Sequence, residues 1–243
     1  MSLLAKLDKP RKALLDGATQ PFRRAGTAAR HYARGKLRFD PVYFSLLRQG
    51  SLPDGGTLLD LGCGQGILLA LIVAAGRQYR SGLWPAGWPA PPLGLRLEGV
   101  ESRAARVTAA RAALGAEAII EQRDIRVSDF PSCSGIVLLD VLMYLEEDEQ
   151  LGVLARAVRA LEPGGVLLLR ETDAGGGGAF RVAKWSERFL ELARGQFRSR
   201  LHYRDAAEWI DLLEGLDLAV RAEPMGTGTP FSNMLFIARR PAA

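Results

Sequence analysis

Leu58-Leu59-Asp60-Leu61-Gly62-Cys63-Gly64-Gln65-Gly66 is the stretch whose reading decides the rest of the chain. Thr57 to Leu61 is a short apolar run with the pattern of a buried strand, and it carries one acidic residue near its end. Three alternating glycines follow, and Gly66 to Ala75 has the pattern of a helix. Glycine is required where a backbone turns sharply or where a ligand touches the main chain. A strand, a glycine turn and a helix together deliver a ligand to a strand carboxyl end and a helix N-terminus. A dinucleotide-binding turn would read G-x-G-x-x-G, but Ile67 occupies the place of its last glycine. Asp60 also puts negative charge where a pyrophosphate would approach. Both points favour a ligand with a positive or neutral centre.

Downstream, apolar runs and helical stretches alternate. Strands are expected within Gly94 to Glu101 and at Ala118 to Gln122, Gly135 to Asp140 and Gly165 to Arg170. Helices are expected at Ser102 to Leu114 and Asp148 to Leu161. This alternation implies crossover units and a mostly parallel sheet with helices on both faces. Continuous apolar strands such as Ile136 to Leu139 fit a sheet buried on both sides. Further on, Phe180 to Ala193 and Ala206 to Leu213 read as helices, and Leu218 to Ala222 and Asn233 to Arg239 as strands. Two late strands with no helix between them predict an antiparallel hairpin at the sheet edge. The fold class expected is a Rossmann-like, doubly wound, seven-stranded, mostly parallel sheet with a C-terminal antiparallel hairpin.

Two insertions interrupt the pattern. Residues 79–95 contain Trp84, Trp88 and four prolines, and connect a helix to the next strand. Such loops lie opposite the ligand crevice, so a packed cover or an oligomer contact is expected. Thr172 to Ala179 contains four consecutive glycines and follows a strand, which places it on the ligand side. It reads either as a tolerated flexible loop or as the hinge of a substrate lid.

The chain has 243 residues, 48% hydrophobic and 24% charged, which excludes a disordered tail, a collagen-like fibre and a disulfide miniprotein. Its longest apolar run, Ile67 to Gly76, falls short of the roughly 18 to 20 residues a membrane helix needs. The first 20 residues are charged throughout and lack the apolar region of a signal peptide. Cys63 and Cys133 have no metal-ligand spacing. A reduced, cytoplasmic location is the simplest expectation. Charge is uneven within the net +5. Residues 1–38 hold ten basic residues against Asp8 and Asp16, while the rest of the chain has 22 basic and 25 acidic residues. Residues 1–45 therefore read as a basic, helical N-terminal segment and residues 46–243 as the main domain. The segment is either a solvated appendage or a lid or partner contact, attractive to nucleic acid, an anionic membrane or an acidic protein.

Further candidates sit at the ends of the later strands. Glu101 closes Glu98-Gly99-Val100-Glu101, where a carboxylate can accept hydrogen bonds from both hydroxyls of a ribose. Arg123-Asp124-Ile125 follows the third strand, so that Asp124 can accept from an adenine amino group with Ile125 against the ring. Asp140-Val141-Leu142-Met143-Tyr144 follows the fourth, and Leu161-Glu162-Pro163-Gly164-Gly165 turns into the fifth.

In this order, LLDLGCGQG, GVE, RDI, DVLMYL and LEPGG resemble the successive motifs of class I S-adenosylmethionine-dependent methyltransferases, over about residues 57 to 170. The resemblance implies S-adenosylmethionine as cofactor and methyl donor. Asp60, Gly62, Cys63, Gly64 and Gly66 would hold its methionine part, Glu101 and Ser102 its ribose, and Asp124 and Ile125 its adenine. Asp140 and Val141 would complete the donor site. Within the family the chain is similar to small-molecule methyltransferases. RGKLRFDP (34–41), DVLMYL (140–145) and TPFSNMLF (229–236) are also similar to methyltransferases of bacterial aryl polyene pigment synthesis. Many relatives carry His where this chain has Met143, so the resemblance supplies no base there.

Methyl transfer from a sulfonium is an in-line displacement with a good leaving group, so the protein mainly aligns and desolvates the reactants. No cluster suggests a metal. A phenol or activated aryl carbon would call on a base. His202, Tyr144 and His31 are the catalytic candidates, each weighed against a structural or packing role. The expected acceptor is a small molecule, aromatic or bound to an acyl carrier protein that the basic segment would attract. An RNA methyltransferase using that segment and a non-catalytic scaffold on the same fold are the alternatives. Nucleic acid is the less expected partner, because the family's amino-methylating enzymes usually carry an Asn/Asp-Pro-Pro-aromatic motif where this chain has DVLMY. Oligomeric state is left open.

Overall fold

The computed structural model describes residues 8–175, 201–226 and 232–242. Seven strands form one sheet: β1 (Gly55–Leu61), β2 (Gly94–Glu101), β3 (Ile119–Gln122), β4 (Cys133–Leu139), β5 (Leu161–Thr172), β6 (Ala219–Pro224) and β7 (Asn233–Arg239). Their order is β3-β2-β1-β4-β5-β7-β6. The first five strands are parallel, β7 runs antiparallel to β5, and β6 antiparallel to β7. This is the expected fold class, hairpin included. The strand order reverses between β1 and β4, and open α/β sheets bind their ligands at such a switch point, outside the strand carboxyl ends.

Helices α1 (Lys9–Thr19), α2 (Thr27–Phe39), α3 (Val42–Arg48), α4 (Ile67–Arg80), α5 (Ala104–Leu114), α6 (Glu147–Ala160) and α7 (Ala206–Glu214) cover the sheet. Side chains alternate across each strand, so the sheet divides the core. Leu58, Val137, Val166 and Leu168 pack into one apolar cluster with the inner faces of α1 to α5. Leu59, Leu61, Ile136, Leu138, Leu167 and Leu169 pack into a second with α6 and α7.

Several boundaries move for local reasons. α4 runs five residues past Ala75, because Arg77, Gln78 and Tyr79 still supply the carbonyls that cap it. α5 starts at Ala104 and not Ser102, because the Glu101 carboxylate accepts the Arg103 N–H at 2.9 Å and holds the chain extended there. β4 spans Cys133–Leu139, leaving Asp140 beyond its end with φ +57. β5 begins at Leu161, ahead of the expected Gly165, since Leu161 already pairs with Cys133 across a register shift. The helix expected at 180–193 lies outside the described residues, as does most of the glycine loop and of the loop between β6 and β7.

From residue 8 onward the basic segment is packed against the domain and is not a solvated appendage. Leu14, Leu15, Ala18, Phe22, Ala33 and Leu37 are buried in the same cluster as α4. A helix with Leu on one face and Lys or Arg on the other is amphipathic, and packing selects the apolar face. The Trp/Pro insertion is packed as a cover. Trp84 and Trp88 meet edge-on at 5.8 Å, and Phe44 of α3 lies 6.3 Å from Trp88. Arg11 of α1 stands over the Trp88 ring, and Gln78 donates to Pro10 O at 2.8 Å.

Candidate active site

The glycine turn between β1 and α4 uses conformations that side chains resist. Gly62, Gly64 and Gly66 have φ +76, +58 and +75. A Cβ at Gly62 would lie 2.6 Å from Val141 Cγ2, and one at Gly66 2.6 Å from Leu114 Cδ1. At Gly64 nothing lies within 4 Å. Gly62 and Gly66 are thus glycine for conformation and for packing. Gly64 is glycine for conformation and leaves open space beside the backbone. The turn is tied to β2 by Gly62 and Cys63 N–H groups donating to Val100 O at 2.8 and 3.0 Å. The Cys63 thiol is buried against Gly99, and burial beside Asp60 and Glu101 pushes its pKa far up.

Two carboxylates flank this turn. Asp60 pairs with Gly99 in the β1–β2 register, and Glu101 lies two residues beyond that partner. Each is only 5% exposed. Glu101 accepts from Arg103 N–H, and Arg106 lies 3.5 Å from its other oxygen. Among the described residues Asp60 forms no ion pair. Burial, with the Glu101 charge adding to it, raises Asp60 to about 7. Such a pair favours a ligand that brings positive charge or hydrogen-bond donors. Open space at Gly64, an uncompensated Asp60 and a strand-end Glu101 therefore suit a sulfonium nucleoside.

The other expected donor residues lie around the same edge. Ser102 is exposed after β2 and Ile125 is buried after β3. The Asp124 carboxylate is held by Arg126, at 2.7 Å from Nη2, which lowers its pKa. Val141 packs on Gly62, as its spacing from the Cβ site shows.

The catalytic candidates divide. Tyr144 is 43% exposed in the 3-10 turn 142–144 after β4. His202 is brought to that turn, its N–H donating to Met143 O at 2.9 Å. The buried Gln150 side chain ties both together, donating to Leu142 O, Leu145 O and His202 O at 3.1 to 3.3 Å. His202 Nε2 lies 3.0 Å from Glu146 Oε2, within ion-pair reach but off the line of a hydrogen bond. His31 is on the exposed side of α2.

Sequence reading missed a group at the same edge. Arg170, 1% exposed, ends β5's apolar run and donates from Nε to Asp140 Oδ1 at 2.9 Å and from Nη2 to Asp40 Oδ2 at 2.9 Å. Its Nη1 also meets Asp40 and its Nη2 Asp140. Lys36 stands 3.1 Å from Asp40 and 3.6 Å from Asp140. Burial opposes the Asp40 charge, but Arg170 and Lys36 outweigh it and pull that carboxyl down to about 2. The next residue, Glu171, is 2% exposed and accepts from Val141 N–H at 3.1 Å and Leu142 N–H at 2.7 Å. Burial, aided by Asp140, raises it to about 8 against those hydrogen bonds. The available signal was Arg170-Glu171 itself, two charges closing a buried strand at its ligand end. Among the described residues no cluster suited to a metal occurs.

Comparison with known proteins bears on the family and the fold. The sequence model of a family described as a methyltransferase domain matches residues 29–223. The carboxy-S-adenosyl-L-methionine synthase of Chromohalobacter salexigens is 36% identical over 132 residues, which is 52% of this chain and 43% of that protein. The chain thus matches less than half the length of that curated relative. An O-methyltransferase family protein from Burkholderia thailandensis superposes with a TM-score of 0.63 at 17% identity, over 91% of this chain and 62% of that one. The magnesium protoporphyrin IX methyltransferase of Synechocystis, solved with bound SAH, gives 0.55 at 17% identity, over 97% and 89%. At such identities the structural likeness speaks for the fold, and the family match covers most of the chain. The chain belongs to the class I S-adenosylmethionine-dependent methyltransferases.

Proposed function

We propose that this chain transfers a methyl group from S-adenosylmethionine to a small-molecule or carrier-bound biosynthetic acceptor. The observation that carries the reading is the pairing of Asp60 and Glu101, buried at adjacent strand ends, around a turn open only at Gly64. The bound donor supplies an electrophilic methyl on a cationic sulfur. Glu101 accepts from its ribose hydroxyls, as such strand-end carboxylates do. Asp60 balances its positive charge. Gly62, Gly64 and Gly66 let the backbone approach it, with Cys63 as a wall. Ser102 extends the ribose contact, and Asp124 with Ile125 forms the adenine edge. Asp140 and Val141 close the site on the β4 side.

The acceptor then approaches across the turn after β4, where Tyr144 and His202 border it. His202 is the base proposed for an acceptor that carries a proton, and His31 is a weaker candidate on α2. The exposed Lys9, Arg11, Lys12, Arg23, Arg24 and Arg38 support an acidic carrier as the vehicle of the acceptor.

Calorimetric titration with S-adenosylhomocysteine, the donor product, beside NADH tests the reading. Saturable binding of the first and none of the second is expected. A folded protein that binds only NADH, or neither, overturns it.

A further inference from the structure

The buried Arg170 and the half-buried charges around it join four separate parts of the chain. Lys36 comes from α2, Asp40 from the turn before α3, Asp140 from the end of β4 and Arg170 from β5. Two cations alternate with two anions, each cation touching both carboxylates. Burying such charges is favourable only while every partner is present, because withdrawing one strands the others in a poorly solvated place. The ring is therefore complete only when the N-terminal segment lies against the carboxyl ends of β4 and β5.

From the ring a short physical path leads to the glycine turn. Asp140 is held at φ +57, which non-glycine residues seldom adopt. That conformation aims the next residue, and Val141 fills the space a side chain on Gly62 would need. Glu171 grips the same turn through the Val141 and Leu142 N–H groups. Adjacent residues of β5 thus hold one turn by its side chain and by its backbone.

We propose that Arg170 is a positioning residue whose charge ring couples the N-terminal segment to the donor site, with Lys36 and Asp40 acting through Asp140 and Val141 on Gly62. This rests on the donor-site reading above. Coupling of this kind is reciprocal: if the ring favours donor binding, donor binding must favour the closed ring by the same factor.

The test compares Lys36→Met, Asp40→Asn and the charge-conserving Lys36→Arg with the unaltered protein. S-adenosylhomocysteine affinity is read by calorimetry, and tryptic cleavage after Arg34 and Arg38 by mass spectrometry. Lys36→Met and Asp40→Asn are expected to weaken binding about fivefold or more, with Lys36→Arg within about twofold of the parent. Saturating S-adenosylhomocysteine is expected to slow cleavage in the parent about fivefold or more, and far less in Lys36→Met. A purely structural ring would speed cleavage without this ligand dependence. Cooperatively melting Lys36→Met and Asp40→Asn variants that bind like the parent overturn the proposal, as does a Lys36→Arg variant as weak as Lys36→Met. Should the neutral variants not fold, a parent whose α2 cleavage ignores the ligand overturns it. A parent that does not bind S-adenosylhomocysteine removes the donor reading instead, an outcome distinct from normal binding by the variants.

Discussion

Asp60, one residue before the end of β1, and Glu101, the last residue of the parallel neighbour β2, share a buried edge, each with 5% of its surface exposed. Arg106 and the Arg103 N–H compensate Glu101, whereas Asp60 is raised to about 7 by burial and by Glu101. The free protein thus holds an electrostatic imbalance that a cationic ligand would relieve.

Glu101→Ala should weaken S-adenosylhomocysteine binding by about 1.5 to 3 kcal/mol, the scale of hydrogen bonds to a charged group. Calorimetry on the purified variant measures it. Unchanged affinity with an intact melting transition would remove Glu101 from the donor site.

Asp60 sets a pH dependence of stability whose sign can be worked out. Its carboxyl loses a proton near 3.8 in the unfolded chain and near 7 in the folded one. Between those values the folded state binds more protons, so stability falls as pH rises. Glu171, raised to about 8, extends the fall. The melting temperature of the ligand-free protein should therefore drop between about pH 4 and 8. Asp60→Asn should flatten the lower part of that drop while weakening donor binding. A variant with the parent's full pH slope would show that Asp60 is not the group responsible.

The glycines of the turn should separate stability from binding. Each loses about 1–2 kcal/mol to left-handed strain when given a side chain. Gly62→Ala and Gly66→Ala add a collision, with Val141 and with Leu114, at 2.6 Å. Gly64→Ala meets no protein atom, so it should be the mildest for thermal stability yet still impair S-adenosylhomocysteine binding. Equal destabilisation across the three would mean that packing does not distinguish them.

His202→Ala should leave S-adenosylhomocysteine affinity unchanged and lower turnover on a proton-bearing acceptor on the order of 10²-fold, the scale of general base catalysis. Steady-state kinetics across pH would measure it. Parent-like turnover by His202→Ala would leave the histidine a structural role beside Met143.

Much of this architecture was legible along the chain because its signals are local. Asn233 to Arg239 is legible with its observed bounds, and the strand expected within Gly94 to Glu101 fills that stretch, since apolar alternation and flanking turn residues act within a few positions. The glycine turn was legible because positive φ is a property of single residues. The place of Asp60 and Glu101 near the ends of neighbouring strands was legible, and their burial was decided by the packed sheet.

The charge ring was not legible, and neither was the burial of the N-terminal helices. Arg170 and Asp40 are 130 residues apart, and nothing near either names its partner. Seen locally, Lys36, Arg38 and Asp40 look like an ordinary solvated helix end, and the basic count of residues 1–38 reads as surface. Local periodicity settles which residues turn inward and so determined the strands, the three alternating glycines marked the turn, and the succession of motifs over about residues 57 to 170 carried the family resemblance. Pairing of buried charges depends on which inward faces meet. That was decided only when α2, β4 and β5 came together at the carboxyl edge, where the fully buried Arg170 must find its counter-charges within the protein.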